Sequence, residues 1–151
     1  MKMPVEIMVT NKKLNYRDMC VAGDIPEAHE STENYNGFMV INGEKLSLDY
    51  DEVFDDGITA STSVMLQNGI ALISHRGEIN TNLVFLPGDS CDCVCNNGYR
   101  TMNLRVNTQS LKSNIGPLGG KLKIDYTIEI MGNVAEKNSI CVSVFPSDSA
   151  S

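Results

Sequence analysis

From Gly120 to Met131 the chain reads GKLKIDYTIEIM. Its apolar residues Leu122, Ile124, Tyr126, Ile128 and Ile130 fall at every second position, with Lys121, Lys123, Asp125, Thr127 and Glu129 between them. A repeat of two marks a strand with one face buried and the other in water. Met131-Gly132-Asn133 then supplies turn residues, and Ile140, Val142 and Val144 alternate with Cys141 and Ser143 up to Pro146, so the two runs read as a hairpin. Asn42-Gly43 separates FMVI from KLSLDYDEV, whose Leu46, Leu48 and Tyr50 share a face, and Asn68-Gly69 separates ITASTSVMLQ from IALIS. Asn-Gly between alternating runs is a strong hairpin signal. Pro87-Gly88-Asp89 and Asn96-Asn97-Gly98 flank a short run containing Cys91, Cys93 and Cys95, after which Met102, Leu104 and Val106 alternate with Asn103, Arg105 and Asn107.

These runs amount to about eight to ten strands, spaced for consecutive antiparallel pairing. The predicted fold is all-β, an up-and-down antiparallel barrel, with a two-sheet sandwich as the alternative. Parity places Leu48, Tyr50, Leu104, Leu122, Ile124, Tyr126 and Ile128 inside. Two stretches break the pattern: Gln109 to Ser113 reads as a short helical turn, and Arg17 to Glu33 as an irregular acidic loop. No repeat or linker divides the chain, so residues 1–146 are expected to form a single barrel domain and residues 147–151 a frayed tail.

Composition narrows the function classes. A domain of 151 residues buries about 68–70% of its unfolded surface and folds without disulfide or metal. Its net charge of −7 argues against nucleic acid and anionic lipid, both of which require concentrated Lys and Arg. The opening MKMPVEIMVT is interrupted by Glu6 and followed by Asn11-Lys12-Lys13, which does not resemble an export signal, and no apolar run is long enough for a membrane helix. A cytosolic location with reduced thiols is the expectation.

The cysteines, three in five residues, invite a metal or redox reading. In an extended strand, however, Cys91 and Cys95 would have Cα atoms roughly 13 Å apart, too far to share a tetrahedral zinc that holds each sulfur at about 2.3 Å. Adjacent cysteines would sit roughly 6.6 Å apart, at the upper limit for a disulfide. The three are therefore read as a narrow stripe packed toward the core, with Asp92 and Asn96 facing water. His29 lies beside Glu27 and Glu30, His75 ends the strand IALISH, and neither has a nucleophile paired with it in sequence. Both are read as surface or packing residues. Asp49 to Gly57, DYDEVFDDG, lacks the spacing of a calcium loop and reads as a solvated edge. Gly119-Gly120 precedes a strand rather than a helix, so it is not a phosphate loop. No cofactor motif, metal site or catalytic constellation is expected.

NGEKLSLDYDEV, ITASTSVMLQNGIALISHRGEI, NNGYRTMNLRVNTQSLKS and GGKLKIDYTIEIMG together resemble the YwiB-like family of small bacterial proteins, a domain of unknown function. The resemblance runs from about Glu33 to Phe145 and rests on Tyr50 with Glu52, Gly77, Tyr99, Thr108, Gly119-Gly120, Tyr126 and Gly132. It implies a calycin, or lipocalin-like, closed barrel in a bacterial cytosol, with no assigned reaction. The chain departs from the family at Asn97-Gly98-Tyr99-Arg100, where T-P-Y-G is usual, and at His75, where the family has arginine.

The expected function is non-enzymatic binding of a small, partly apolar molecule inside the barrel, since barrels of this size can hold one. The alternative is a structural or protein-interaction module with a filled barrel, acting through an outer face or as a homodimer; a cysteine-based metal or redox sensor ranks below both. Tyr50 and Tyr126 are the candidate ligand residues. Each has inward parity, and each pairs a large apolar ring with a hydroxyl that needs a partner when buried.

Overall fold

The computed structural model describes residues 2–16, 27–53, 57, 59–77, 80–96 and 101–147. Among them the regular structure is ten strands: β1 (Lys2–Asn15), β2 (Glu27–Asn42), β3 (Lys45–Val53), β4 (Thr59–Gln67), β5 (Ile70–Gly77), β6 (Asn80–Phe85), β7 (Ser90–Asn96), β8 (Thr101–Ser113), β9 (Gly120–Ile130) and β10 (Asn133–Pro146). Each pairs antiparallel with its neighbours in sequence, and β1 closes the barrel on β10. The sandwich alternative is therefore excluded. The closing seam runs from Val5↔Pro146 to Asn15↔Glu136, so no free sheet edge is left along it. None of the described segments is a helix long and apolar enough to cross a membrane.

Alternation becomes an inside and an outside. Leu48, Tyr50, Leu104, Leu122, Ile124, Tyr126 and Ile128 are all buried, as parity requires, and Val5, Ile7, Met39, Val64, Ala71, Phe85, Val142 and Val144 complete the centre of the core. On β7, Cys93 is buried and Cys91 and Cys95 are half-buried against the core, while Asp92, Val94 and Asn96 are exposed. The cysteine stripe is thus one face of a strand, held by local contacts: Cys93 Sγ lies 3.8 Å from the Cys91 carbonyl, and Cys95 Sγ lies 3.5 Å from Thr81 Oγ1.

Two expectations are corrected. Gln109 to Ser113 is the end of β8 rather than a helical turn; the register with β9 slips between Thr108 and Ser110, so Gln109 is a β-bulge, and one extra residue there broke the period of two. Glu27 to Glu33 is strand, the first half of β2, paired with β1 from Asn15↔Glu27 to Val9↔Glu33. Its polar composition hides it, since the β2 side chains from Ala28 to Asn34 are exposed on both faces. The remainder of the expected loop, residues 17–26, lies outside the described residues, as do Tyr99 and most of the expected tail; Ser147 N donates to the Pro4 carbonyl at 3.2 Å.

The hairpin turns follow their sequence signals. Asn68 and Gly69 take φ of 54° and 75°, the primed turn that Asn-Gly favours. Met131-Gly132 makes the β9–β10 turn with φ of 53° and 82°, leaving a non-glycine residue in the left-handed region with its side chain in solvent. At Gly37, paired with Tyr50, a Cβ would be driven into the Asp49 carbonyl oxygen, so the β2–β3 approach beneath the Tyr50 side chain requires a bare backbone.

Two substitutions test this geometry by urea unfolding. Gly37→Ala should cost about 3 kcal/mol, near the upper range for single changes, and a loss under about 0.5 kcal/mol would show that the strands can separate there without penalty. Met131→Asn should gain about 0.5 kcal/mol by relieving a left-handed methionine, and destabilisation would contradict the turn assignment.

Candidate functional site

The C-terminal ends of β1, β3, β5, β7 and β9 lie at one end of the barrel. Just inside that end the inner wall turns polar. Along β3 the inward series Leu46, Leu48, Tyr50 continues to Glu52, and neighbouring strands add Tyr35, Thr62 and His75. Tyr50 pairs with Thr62 and Thr62 with His75, so the three form one row across β3, β4 and β5, which Thr81 and Cys95 extend onto β6 and β7.

Glu52 is the centre of the group. Thr62 Oγ1 donates to Glu52 Oε1 at 3.0 Å, and His75 Nε2 stands 3.7 Å from the same oxygen. Burial first, then the charge of Glu52, the neighbouring Tyr35 and a hydrogen bond to Glu52, hold the Tyr50 hydroxyl protonated far above its usual range. The Tyr35 and Tyr50 rings stack with centroids 4.8 Å apart and planes 28° from parallel; burial and the charges of Glu52 and Glu33 push the Tyr35 pKa up to about 12. The Glu52 and His75 side chains keep 16% and 20% of their exposure, so the group is covered yet reachable by solvent.

One sequence reading changes here. Asp49 and Asp51 are exposed and Asp51 accepts from Ser61 Oγ at 3.1 Å, but Glu52 is turned into the barrel, and in a closed barrel the β3 stretch is not an edge at all. Of the two histidines read as surface or packing residues, His75 is half-buried on the inner wall as the partner of a carboxylate, and His29 is exposed on β2. Arg76, the next residue, faces outward opposite Ser61.

The two candidate tyrosines have different surroundings. Tyr126 is enclosed, meets Phe85 edge-on at 4.7 Å and 67°, and is flanked by Thr108 and Asn138, both 3% exposed. Burial, then the charge of Glu136, raises its pKa. Thr108 Oγ1 and Asn138 Oδ1 have no hydrogen-bond partner among the described residues, while Asn138 Nδ2 donates to Glu136 Oε1 at 3.3 Å. Both rings are 6% exposed; what separates them is company, Tyr50 standing with the partly exposed Glu52 and Tyr126 against Phe85.

The larger surface hollows lie elsewhere. A groove of about 840 Å³ runs beside Lys12, Leu14, Ala28, Glu30 and Asp125, and one of about 550 Å³ crosses the outer face at Phe38, Asp49, Met65, Leu72 and Asn82. The second also touches Tyr50 and Thr62, but neither contains Glu52 or His75, and their linings mix charges without converging on one group. The chemistry is concentrated on the inner wall.

Burial lowers the His75 pKa from 6.5, and the Glu52 carboxylate opposes that shift without reversing it. Below about pH 6.5 the unfolded chain takes up a proton that the folded imidazole resists, so His75 contributes stability above that pH and the contribution is lost as pH falls. The wild-type melting temperature should therefore drop between about pH 7.5 and 5.5 more than that of His75→Gln. Parallel pH profiles would contradict the burial of this imidazole.

The comparisons with known proteins agree with the fold and are silent on chemistry. The chain is similar to the crystal structure of ywiB protein from Bacillus subtilis, with a TM-score of 0.78 over 97% of this chain and 93% of that one, at 19% identity. The curated relative "Uncharacterized beta-barrel protein YwiB" of Bacillus subtilis (strain 168) is 26% identical over 94 residues, which are 62% of this chain and 66% of the relative's length. The family model described as "Domain of unknown function (DUF1934)" matches residues 22–142, most of the barrel, and the chain belongs to that family.

Proposed function

We propose that this barrel is a non-enzymatic, cytosolic binding protein that takes a small, partly apolar molecule at its polar end, with Tyr50 as the principal contact. The observation that carries this reading is the Tyr35–Tyr50–Glu52–Thr62–His75 group on the inner wall. A barrel that needed only to be filled would place apolar side chains there, because a carboxylate and an imidazole withdrawn from water cost more than they return unless the geometry is used. Two tyrosine rings provide apolar area, and the carboxylate, hydroxyls and imidazole provide orientation, the usual composition of a small-molecule site. In this reading Tyr126, set against Phe85 rather than among these side chains, serves as core rather than as a ligand contact.

A second reading, an interaction module with a filled barrel and a homodimeric or partner-binding outer face, draws on the tight centre of the core, where Phe85, Met39, Leu48, Leu122 and Ile124 are fully buried. The two readings differ in what leaves the cell with the protein. Native mass spectrometry of chain purified without refolding should find a bound small molecule, and Tyr50→Phe should lose it while giving up only about 1 kcal/mol of stability. Retention at wild-type occupancy in Tyr50→Phe would overturn the site, and a bare wild-type chain would favour the filled barrel.

A further inference from the structure

We infer that the molecule taken at the polar end is a small organic cation, an amine carried on a short apolar or aromatic body; this rests on the binding reading above. The charge balance around Glu52 carries the inference. Its contacts are the Thr62 hydroxyl at 3.0 Å, the Tyr50 hydroxyl and His75 Nε2 at 3.7 Å. Among the described residues the Lys and Arg ion pairs are made elsewhere, Lys13 with Glu136 and Arg105 with Asp92. Arg76, adjacent in sequence to His75, points to the outer face opposite Ser61. His75 is itself held toward its neutral form by burial. Among the described residues the carboxylate is therefore largely withdrawn from water and met by hydroxyls and an imidazole rather than by a fixed cation, an arrangement that a bound ammonium completes.

The aromatic wall points the same way. The stacked Tyr35 and Tyr50 rings stand beside that carboxylate, and ring faces carry the negative side of the quadrupole, so they attract a cation while covering its apolar body. A chain of net charge −7 also raises the local concentration of cations over anions. An anionic ligand would face Glu52 directly, and a purely apolar one would bury the carboxylate without a partner. A divalent metal would require further carboxylate or imidazole ligands beside Glu52 and His75, and among the described residues no group of three such side chains is assembled to hold one.

The test compares two probes of nearly the same shape, phenethylamine and the neutral 2-phenylethanol, titrated into the full chain near pH 7.5 and followed by amide chemical shifts. The chain has no tryptophan, so tyrosine fluorescence provides an independent readout of the Tyr35–Tyr50 stack. Phenethylamine should bind at least roughly tenfold more tightly than the alcohol, with shifts centred on Tyr35, Tyr50 and Thr62, and Glu52→Gln should erase the preference. If Glu52→Gln does not fold, the amine-to-alcohol ratio on the wild type decides alone. Equal binding of both probes at those amides overturns the cation while leaving the binding site standing. Failure of the amine to bind at millimolar concentration also overturns the cation, and the site itself falls only if Tyr50→Phe keeps the copurifying molecule.

Discussion

Closure of β1 onto β10 is the constraint from which the rest of this structure follows. In an open sheet a polar residue on the wrong parity can escape around an edge or be shielded by a neighbouring loop. In a closed barrel, alternation admits only a lumen and an outer face, and a shift of one residue would exchange them along a whole strand. The two bulges, at Gln109 on β8 and between Val134 and Glu136 on β10, show where the ribbon takes up an extra residue without disturbing that assignment: Leu111 still packs on the core beyond the first, and Glu136 and Asn138 follow the second.

Closure also explains why the polar group at one end is chemically unusual. Once β3 is in register with β2 through Gly37↔Tyr50, Glu52 has no outward option, and the same ladder sets Thr62 and His75 beside it. The bare backbone of Gly37 allows β2 and β3 to approach beneath Tyr50. The site is thus built by main-chain register, and its side chains inherit their positions from strands rather than from loops.

Much of the architecture was legible in the sequence because period-two runs and Asn-Gly turns report directly on the hydrogen-bonded ladder. The burial of Leu48, Tyr50, Tyr126 and the cysteine face followed from parity alone. The first half of β2 was not legible, since its exposed, polar residues carry no alternation, and Tyr35, on the continuation of that strand, was missed with it. Glu52 and His75 were on the page: each continues an inward series, Leu46-Leu48-Tyr50-Glu52 and Ala71-Ile73-His75. Charge in the run DYDEVFDDG masks the first, and the second, beside Arg76, reads as a strand-end residue. Which residues meet across strands depends on register and shear, and a single chain without its pairing does not encode that in readable form.

What stands against Glu52 in the protein as purified from the cell decides whether the polar end is a binding site. A high-resolution crystal structure of the chain purified without refolding measures this directly. The account predicts well-defined density for a small molecule between the Tyr35–Tyr50 stack and the Glu52 carboxylate, with a nitrogen within hydrogen-bond distance of that carboxylate. A niche closed by the protein's own side chains, with a lysine or arginine seated on Glu52, would contradict it.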